Sequence, residues 1–351
     1  MDNRYFSQKV VEWYLKNKRN LPWRNTTDPY KVWLSEIILQ QTRVEQGLPY
    51  YSLFIKKFPT VKALAAAPAQ LVLRAWQGLG YYTRARNLHR CAHIVAQQLN
   101  GKFPDNYAAL LTLPGIGNYT AAAIASICFN EPVAVVDGNV FRVLARVFGI
   151  YEPINSVSGK QRFNELANIL IDKERPALFN QAIMEFGALH CTPRNPLCAD
   201  CIFKKQCVAY AGILQTELPV KIKKKPARNR YFTYVVFRKG NFLFMNKRSA
   251  GDIWQSLYDF YLVEGRSQKL TLAWFKKHHT ELAPLLTQVK QPGATRWYRH
   301  NLSHQKIFAR FLVVNGVPDK KLGLRKFSLK TVENLPKPVL ISRFLKDAQL
   351  L

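Results

Sequence analysis

The segment LPGIGNYTAAAIAS, residues 113–126, joins a tight Pro-Gly-x-Gly turn to a helix of small residues. Such a turn presents backbone N–H groups beside a helix N-terminus, an arrangement that suits a phosphate group. We therefore expect Gly115 and Gly117 to contact a phosphate group. A Gly-x-Gly turn is a weak signal by itself, because an ordinary connection between two helices has the same composition. Evidence from other segments is needed to distinguish a phosphate-binding turn from an ordinary connection between helices.

The pattern of apolar and polar residues changes along the chain. Residues 1–218 show the 3.6-residue apolar spacing of helices, and the Asp28-Pro29 pair is a typical helix start. Residues 219–229 are basic and contain two prolines, as in an exposed linker. Residues 230–351 hold strand-like aromatic and β-branched segments, and 239–241 (Lys-Gly-Asn) is typical of a hairpin turn. The sequence predicts a mainly helical domain, a linker and an α+β domain.

More detailed expectations concern the second domain. The segments LYDFYLVEG (257–265) and KIFARFLVVNG (306–316) are predicted to be strands, and LTLAWFKKHH (270–279) is predicted to be a helix.

The charge of the chain is strongly positive. Its 351 residues include 52 Lys and Arg against 22 Asp and Glu, a net charge of +30. Residues 219–351 carry 27 of the basic and 7 of the acidic side chains. This excess predicts a polyanionic partner, and nucleic acid is favoured over an acidic membrane because no basic amphipathic anchor is present. The N-terminus lacks a secretory h-region, so we expect a cytoplasmic location and no membrane association.

Four of the six cysteines fall within HCTPRNPLCADCIFKKQC, residues 190–207. Reduced thiols clustered in this way favour a metal site over disulfides. The spacing of Cys191, Cys198, Cys201 and Cys207 suits tetrahedral zinc or a [4Fe–4S] cluster, and spacing alone leaves both open. Four unconnected buried cysteines are a third interpretation.

Three motifs occur in a fixed order: LPGIG, then VDGNV at 136–140, then Cys-x₆-Cys-x₂-Cys-x₅-Cys. In this order they resemble the helix-hairpin-helix DNA glycosylases, whose cluster is [4Fe–4S]. Within that superfamily the chain is most similar to the MutY-type adenine DNA glycosylases. The similar stretches run over about residues 20–207 and are LPWRNTTDPYKVWLSEIILQQTRVEQ, WQGLGYYTRARNLH, LPGIGNYTA, VDGNVFRVLAR and FNQAIMEFGALHCTPRNPLCADC.

The resemblance implies an enzyme of base excision repair. Its members remove adenine mispaired with 8-oxoguanine or guanine in double-stranded DNA and leave an abasic site. It further implies a [4Fe–4S] cofactor, a monomer, and a bacterial cytoplasmic, nucleoid-associated location.

Two alternatives stay open, one from the same superfamily and one from another class. The first is a pyrimidine or mismatched-thymine glycosylase of the endonuclease III type, which carries a lysine at the position of Tyr119. A tyrosine cannot form the Schiff base that lysine uses for strand cleavage. The second is a catalytically silent DNA-binding protein, against which the presence of Glu36 and Asp137 argues.

Cleavage of a purine N-glycosidic bond needs a protonated leaving base and a stabilised sugar cation, which two carboxyl groups in different protonation states can provide. Glu36 shares a helix face with apolar residues, which should raise its pKa, although an exposed glutamate is the alternative. Asp137 precedes a helix, so a helix N-cap is the alternative role. The resemblance makes Glu36 the acid at adenine N7 and Asp137 the catalytic carboxylate. It assigns support of that carboxylate to Asn139 and a part in orienting the site to Tyr119.

Adenine must leave the duplex to reach these groups. The resemblance places Gln40 and Gln41 in the wedge that fills the gap and makes Tyr81 the aromatic that intercalates beside the opposite base. It places Gln181 against adenine. The same comparison puts Trp23 and Arg24 in the pocket wall. Without it, Trp23 and Tyr81 would be interpreted as core aromatics.

The second domain resembles the Nudix-like C-terminal domain of the family. A Nudix hydrolase needs a dense run of glutamates, whereas residues 219–351 contain just Glu264, Glu281 and Glu333. We therefore expect a domain that recognises 8-oxoguanine without hydrolysing nucleotides. Its candidate recognition loop lies in RHNLSHQKIFARF (299–311), where residues 302–304 are Leu-Ser-His and the family often has Phe-Ser-His. Ser303 can accept and donate at the lesion, with His304 fixing the loop. The start of a strand is the alternative.

Overall fold

The computed structural model describes residues 2–223, 226–265 and 296–351. The chain forms two compact units. One comprises Met1–Ala67 and Arg86–Lys223, and the other comprises Pro68–Ala85 and Lys224–Leu351. The predicted limits at 218 and 230 do not anticipate that 68–85 packs with the C-terminal part. Composition along the chain could not reveal this, because the contacts are made by residues far apart in sequence, such as Gln77 Nε2, which donates to Ser342 Oγ at 2.8 Å.

The described part of the first unit is helical, with a single turn of 3₁₀ helix at Pro22–Arg24. The helices of the first 223 residues are α1 (Asn3–Asn17), α2 (Pro29–Leu39), α3 (Val44–Lys57), α4 (Val61–Ala66), α5 (Ala69–Ala75), α6 (Thr83–Gln98), α7 (Tyr107–Leu110), α8 (Asn118–Phe129), α9 (Gly138–Phe148), α10 (Val157–Leu170), α11 (Pro176–Leu189) and α12 (Val208–Ala211). Helix α5 belongs to the second unit, and the division falls within α6.

Local capping explains where the helices begin and end. Asp28 accepts a hydrogen bond from the N–H of Tyr30 at the start of α2, which confirms the predicted Asp-Pro start. Helix α2 ends at Leu39, and Gln41 then adopts a left-handed backbone with φ of +56° before α3 begins. Gly149 ends α9 in the same left-handed region.

Small residues let the helices that carry the site approach one another. Residues 121–125 of α8 are buried, four of them alanines, and α8 packs against α2 and α11. On α11, a Cβ added at Gly187 would lie 2.7 Å from the Cβ of Asn139, so no larger residue fits there without a shift. This close approach holds the beginning of α9 against α11.

The described part of the second unit contains a mixed sheet with helices. Its strands are β1 (Arg228–Lys239), β2 (Phe242–Lys247), β3 (Tyr258–Asp259), β4 (Tyr261–Gly265), β5 (Tyr298–Asn301), β6 (Gln305–Asn315) and β7 (Arg325–Ser328). The order is β3-β2-β1-β6-β5, and β4 pairs with β1 while β7 pairs with β2. Strands β1 and β6 are parallel, and the other pairs are antiparallel. Helices α13 (Leu329–Asn334) and α14 (Val339–Asp347) follow.

The strand predictions for this unit are confirmed. Lys239 pairs with Phe242 around Gly240, whose φ is +54°, as a hairpin requires. The segment predicted as a strand at 257–265 contains β3 and β4, and the segment predicted at 306–316 overlaps β6. The helix predicted at 270–279 lies outside the described residues. A mainly helical unit and an α+β unit agree with the predicted fold class.

None of the helices in the described parts of the chain is long and apolar enough to span a membrane.

Candidate active site

A cavity of about 510 Å³ opens in the first unit. It brings together residues that lie far apart in sequence and that the family resemblance predicted to form the active site. Those on its wall are Trp23, Arg24, Glu36, Tyr119, Asp137, Asn139 and Gln181. The structure thus collects the predicted catalytic residues and most of the predicted base pocket in one place.

Glu36 lies on α2 and is 7 % exposed, so the interpretation as an exposed surface glutamate is wrong. Burial raises the pKa of its carboxyl group to about 7. A hydrogen bond with Tyr119 and the charge of Arg24 lower this pKa, and the charge of Asp137 raises it. A carboxyl group with a pKa near neutrality can hold a proton and release it to a leaving group.

Asp137 has a different environment in the same cavity. Its Oδ1 accepts the backbone N–H groups of Asn139 and Val140, each at 2.8 Å, and its Oδ2 accepts Asn139 Nδ2 at 2.8 Å. Burial raises the pKa of Asp137 above its usual value, and these three donors together with the charge of Arg142 offset part of that rise. The residue is the N-cap of α9 and also lines the cavity, so the two predicted roles are compatible. Three N–H donors favour its ionised form.

Arg142 is a part of the site that the sequence analysis missed. Its Nη2 donates to Asn139 Oδ1 at 2.8 Å and to the Gly187 carbonyl at 2.6 Å, and its Nε donates to the Cys191 carbonyl at 2.7 Å. Because Asn139 Oδ1 is engaged by Arg142, the amide Nδ2 must face Asp137. The three-residue spacing between Asn139 and Arg142 on one helix face is the signal that could have revealed this contact.

Glu185 is a second residue that the sequence analysis missed. It is 1 % exposed and forms ion pairs with Arg19 and Arg24, both at 2.6 Å. Burial acts to raise the pKa of Glu185, but the hydrogen bonds from the two arginines outweigh it and lower this pKa to about 2. Arg24, predicted to line the pocket, is therefore held in place by a buried carboxylate. The four-residue spacing from Gln181 on α11 could have indicated that Glu185 faces the same way.

The remaining cavity residues are held by contacts of their own. Trp23 is 7 % exposed and packs edge-on against Tyr51, with ring centroids 5.2 Å apart, so it is a buried aromatic and a wall of the cavity. Gln181 Oε1 accepts the hydroxyl of Tyr14 at 2.8 Å. The hydroxyl of Tyr119 is 3.4 Å from Met184 Sδ.

The predicted wedge lies at the end of α2. Gln40 Nε2 donates to Thr120 Oγ1 at 3.3 Å, which ties it to α8. Gln41 is exposed in the left-handed turn described above. Neither residue is part of the cavity wall.

The Pro-Gly-x-Gly turn connects α7 to α8 as a helix-hairpin-helix. Gly115 has φ of +83°, and a Cβ there would lie 2.8 Å from the Cβ of Asn87, so the turn requires glycine. Gly117 is the N-cap of α8 without a side-chain cap, and a Cβ there would meet nothing within 4 Å. The space beside Gly117 is therefore open. Contact with a phosphate stays a prediction.

The predicted recognition residues meet in the second unit. Tyr81 is 47 % exposed with φ of +47°, so the core-aromatic interpretation is wrong for it. Its hydroxyl lies 2.6 Å from Ser303 Oγ. Ser303 and His304 are exposed in the turn between β5 and β6, and because β6 begins only at Gln305, the strand-start interpretation is wrong.

The four clustered cysteines line a second, small cavity. Cys191, Cys198, Cys201 and Cys207 share its wall with Arg146 and His190, and none of them forms a disulfide. Among the described residues, no group of three or more His, Cys, Asp or Glu side chains is arranged to hold a metal ion. The four cysteines thus line one shared space.

Comparisons with known proteins first define the class of protein to which this chain is similar. Residues 34–168 match the model of the HhH-GPD superfamily base excision DNA repair protein. A solved structure of a thermostable thymine-DNA glycosylase is 31 % identical, with a TM-score of 0.56, and the alignment covers 60 % of this chain and 97 % of that one.

Sequence relatives then define the family. An adenine DNA glycosylase of Buchnera aphidicola subsp. Baizongia pistaciae (strain Bp) is 35 % identical over 317 residues, which are 89 % of this chain and 87 % of that protein. The adenine DNA glycosylase of Homo sapiens is 43 % identical over 222 residues, which are 61 % of this chain and 41 % of the human protein. The chain belongs to the adenine DNA glycosylase family.

Proposed function

We propose that this protein excises adenine mispaired with 8-oxoguanine or guanine in double-stranded DNA, by hydrolysis of the N-glycosidic bond. The observation that carries the proposal is the pair of carboxyl groups in one cavity. Burial gives Glu36 a pKa of about 7, whereas three N–H donors hold Asp137. One group supplies a proton and the other supplies a negative charge, as this hydrolysis requires.

Glu36 is the general acid of the proposed reaction. Its protonated carboxyl group donates to N7 of adenine, so that the base leaves as a neutral molecule. The buried position keeps this proton available at neutral pH because the ionised form is poorly solvated.

Asp137 is the anionic group of the proposed reaction. As the base departs, positive charge develops on the sugar, and a carboxylate beside it stabilises this cation or bonds to C1′ until water attacks. The side-chain amide of Asn139 donates to Oδ2 of the carboxylate, and two backbone N–H groups at the start of α9 donate to Oδ1. Fixed donors leave little reorganisation for the reaction itself.

Tyr119 determines what happens after the base has left. A phenol hydroxyl cannot form a Schiff base with the sugar, so the enzyme stops at the abasic site. Its position beside Glu36 assigns it to orienting the acid.

The remaining predicted residues serve recognition of the duplex. The N–H groups at Gly115 and Gly117 bind the DNA backbone, and Gln40 and Gln41 fill the gap left by the extruded adenine. In the second unit, which we propose is Nudix-like, Tyr81 stacks beside the opposite base. The proposal is supported by the 2.6 Å contact of its hydroxyl with Ser303, because both residues were assigned to the same base.

Cys191, Cys198, Cys201 and Cys207 would hold a [4Fe–4S] cluster. Four cysteines that line one cavity match the number and type of ligands that such a cluster takes, and the resemblance to the family favours the cluster over zinc. When bound, the cluster supplies four metal–thiolate bonds that cross-link the loop. Protein prepared without oxygen is expected to contain about four iron atoms per chain. Stoichiometric zinc without iron would contradict this assignment.

We further propose that the enzyme acts as a monomer in the bacterial cytoplasm, at the nucleoid. The net charge of +30 supports binding to DNA through its phosphates.

The test is base removal from end-labelled duplexes that carry one defined pair: 8-oxoguanine·A, G·A, G·T or an oxidised pyrimidine opposite guanine. Hot alkali then cleaves at abasic sites. We expect cleavage at adenine after alkali only. Excision of thymine from G·T, which the likeness to a thymine-DNA glycosylase makes the second candidate, would contradict the proposal if adenine stayed in place. Loss of no base from any duplex would indicate a silent DNA-binding protein.

A further inference from the structure

Tyr14 on α1 makes a contact that the sequence did not predict. The residue is 2 % exposed, and its hydroxyl lies 2.8 Å from Gln181 Oε1. A buried phenol O–H needs an acceptor, since an unsatisfied buried donor is costly. The direction of this hydrogen bond depends on whether another acceptor is available.

The carboxylate of Glu185, whose charge acts on Tyr14, is a competing acceptor, but it is saturated. A carboxylate has about four lone-pair sites. Glu185 already accepts five N–H bonds at 2.6–3.0 Å, from the backbone N, Nε and Nη2 of Arg19 and from Nη1 and Nη2 of Arg24. The Tyr14 hydroxyl therefore donates to Gln181.

This direction fixes the amide of Gln181. Its Oε1 is turned toward Tyr14, so its Nε2 must face away, and Nε2 has no protein acceptor among the residues of the described ranges. Gln181 also lines the cavity. We propose that Tyr14 is a positioning residue, which locks the Gln181 amide so that N–H donors face the extruded base.

A Gln181 amide that is locked in one orientation should discriminate between purine bases. This discrimination rests on the proposed function, the excision of adenine. Adenine has a bare N1 that accepts a hydrogen bond, whereas hypoxanthine carries a hydrogen on N1. A free amide could rotate and offer its oxygen to that N1–H. The locked amide instead places its own N–H against the N1–H of hypoxanthine. The pocket therefore rejects hypoxanthine and other 6-oxopurines that carry this hydrogen.

The experiment measures single-turnover base removal from duplexes with adenine or hypoxanthine opposite 8-oxoguanine. Tyr14→Phe keeps the ring and removes the hydroxyl. We expect it to lower the adenine-to-hypoxanthine rate ratio on the order of tenfold, which corresponds to about 1.4 kcal/mol. Gln181→Leu should lower the same ratio, and Tyr14→Phe should then have no further effect.

Tyr30→Phe is the matched control. The buried hydroxyl of Tyr30 donates to the Phe58 carbonyl at 2.5 Å, and Tyr30 is not part of the cavity wall. This variant should leave the ratio unchanged. An unchanged adenine-to-hypoxanthine rate ratio in Tyr14→Phe would overturn the proposal. So would a Tyr14→Phe effect on this ratio that is equally large in wild-type protein and in Gln181→Leu. If Tyr14→Phe does not fold, an unchanged ratio in Gln181→Leu would overturn it. Wild-type protein that removes no adenine would instead refute the proposed function.

Discussion

The cavity of the first unit and the Tyr81–Ser303 surface of the second unit differ in how their polar groups are satisfied. In the cavity, Asp137 accepts three N–H groups, and Glu185 accepts five. On the surface, Tyr81 and Ser303 are exposed, and one hydrogen bond joins them. Chemistry on a base requires desolvated groups that are fixed in advance, whereas recognition of a base requires accessible groups that can exchange partners. Substitutions in the cavity should therefore have much larger effects on catalysis.

The largest effect is expected for Asp137→Asn. Asparagine caps a helix as well as aspartate does, so α9 should remain intact, but the negative charge beside the sugar is lost. Base removal in a single-turnover assay should fall at least 10³-fold, on the order of what an electrostatic group contributes. Asp28→Asn is the matched control, since Asp28 caps α2 outside the cavity wall. It should retain near-normal turnover, and similar losses in both variants would refute the comparison.

Glu36→Gln should lower base removal on the order of 10²–10⁴-fold, because the general acid is lost while mispair binding survives. Its stability should change in the opposite direction. A carboxyl group whose folded pKa is raised from 4.5 to about 7 binds more protons when folded, so stability falls as the pH rises between these values. Thermal melts should show the variant more stable than wild type at pH 8 and little different at pH 4. Lower stability at pH 8 would contradict the assigned burial of the charge.

Tyr119→Phe tests how the acid is tuned. The Tyr119 hydrogen bond lowers the pKa of Glu36, so its removal should raise that pKa and move the alkaline fall in rate to higher pH. Single-turnover rates measured over a pH series report this shift. A shift to lower pH would show that Tyr119 stabilises the protonated acid instead. Neither wild type nor variant should form a borohydride-trapped adduct with DNA.

The smallest effect on catalysis is expected on the exposed surface. Ser303→Ala combined with His304→Ala should weaken discrimination between 8-oxoguanine·A and G·A by a few kcal/mol at most, because one or two hydrogen bonds are lost. Adenine removal under saturating conditions should fall much less. Binding of both mispairs is compared at one salt concentration, and Tyr81→Phe serves as the partner variant that removes the same contact. Equal loss of affinity for both mispairs would indicate DNA contact without recognition of the lesion.

Local sequence signals predicted one set of residues and could not predict another. Glu36 and Asp137 followed from helix periodicity, a cap signal and the family motifs. Glu185 and Tyr14 were missed because their partners are distant in sequence, as in the contact of Tyr14 with Gln181, 167 positions away. Arg142 was missed because two of its acceptor residues, Gly187 and Cys191, are also distant in sequence.

The same limit applies to the fold. The strands of the second unit were predicted from alternation and turn chemistry, but the assignment of 68–85 to that unit depends on tertiary contacts. The spacing of the four cysteines left zinc and iron–sulfur open, and the resemblance of the ordered motifs to the family was needed to favour iron–sulfur. The structure adds that the four cysteines line one cavity.

The most direct test of the paired carboxyl groups is the single-turnover rate of adenine release from an 8-oxoguanine·A duplex, measured from pH 5 to pH 9 with enzyme in saturating excess. The rate depends on protonated Glu36, so it should fall through about pH 7 as that group ionises. In Glu36→Gln the remaining slow rate should show no such fall. A wild-type rate that is constant or rises through pH 7 would contradict the account.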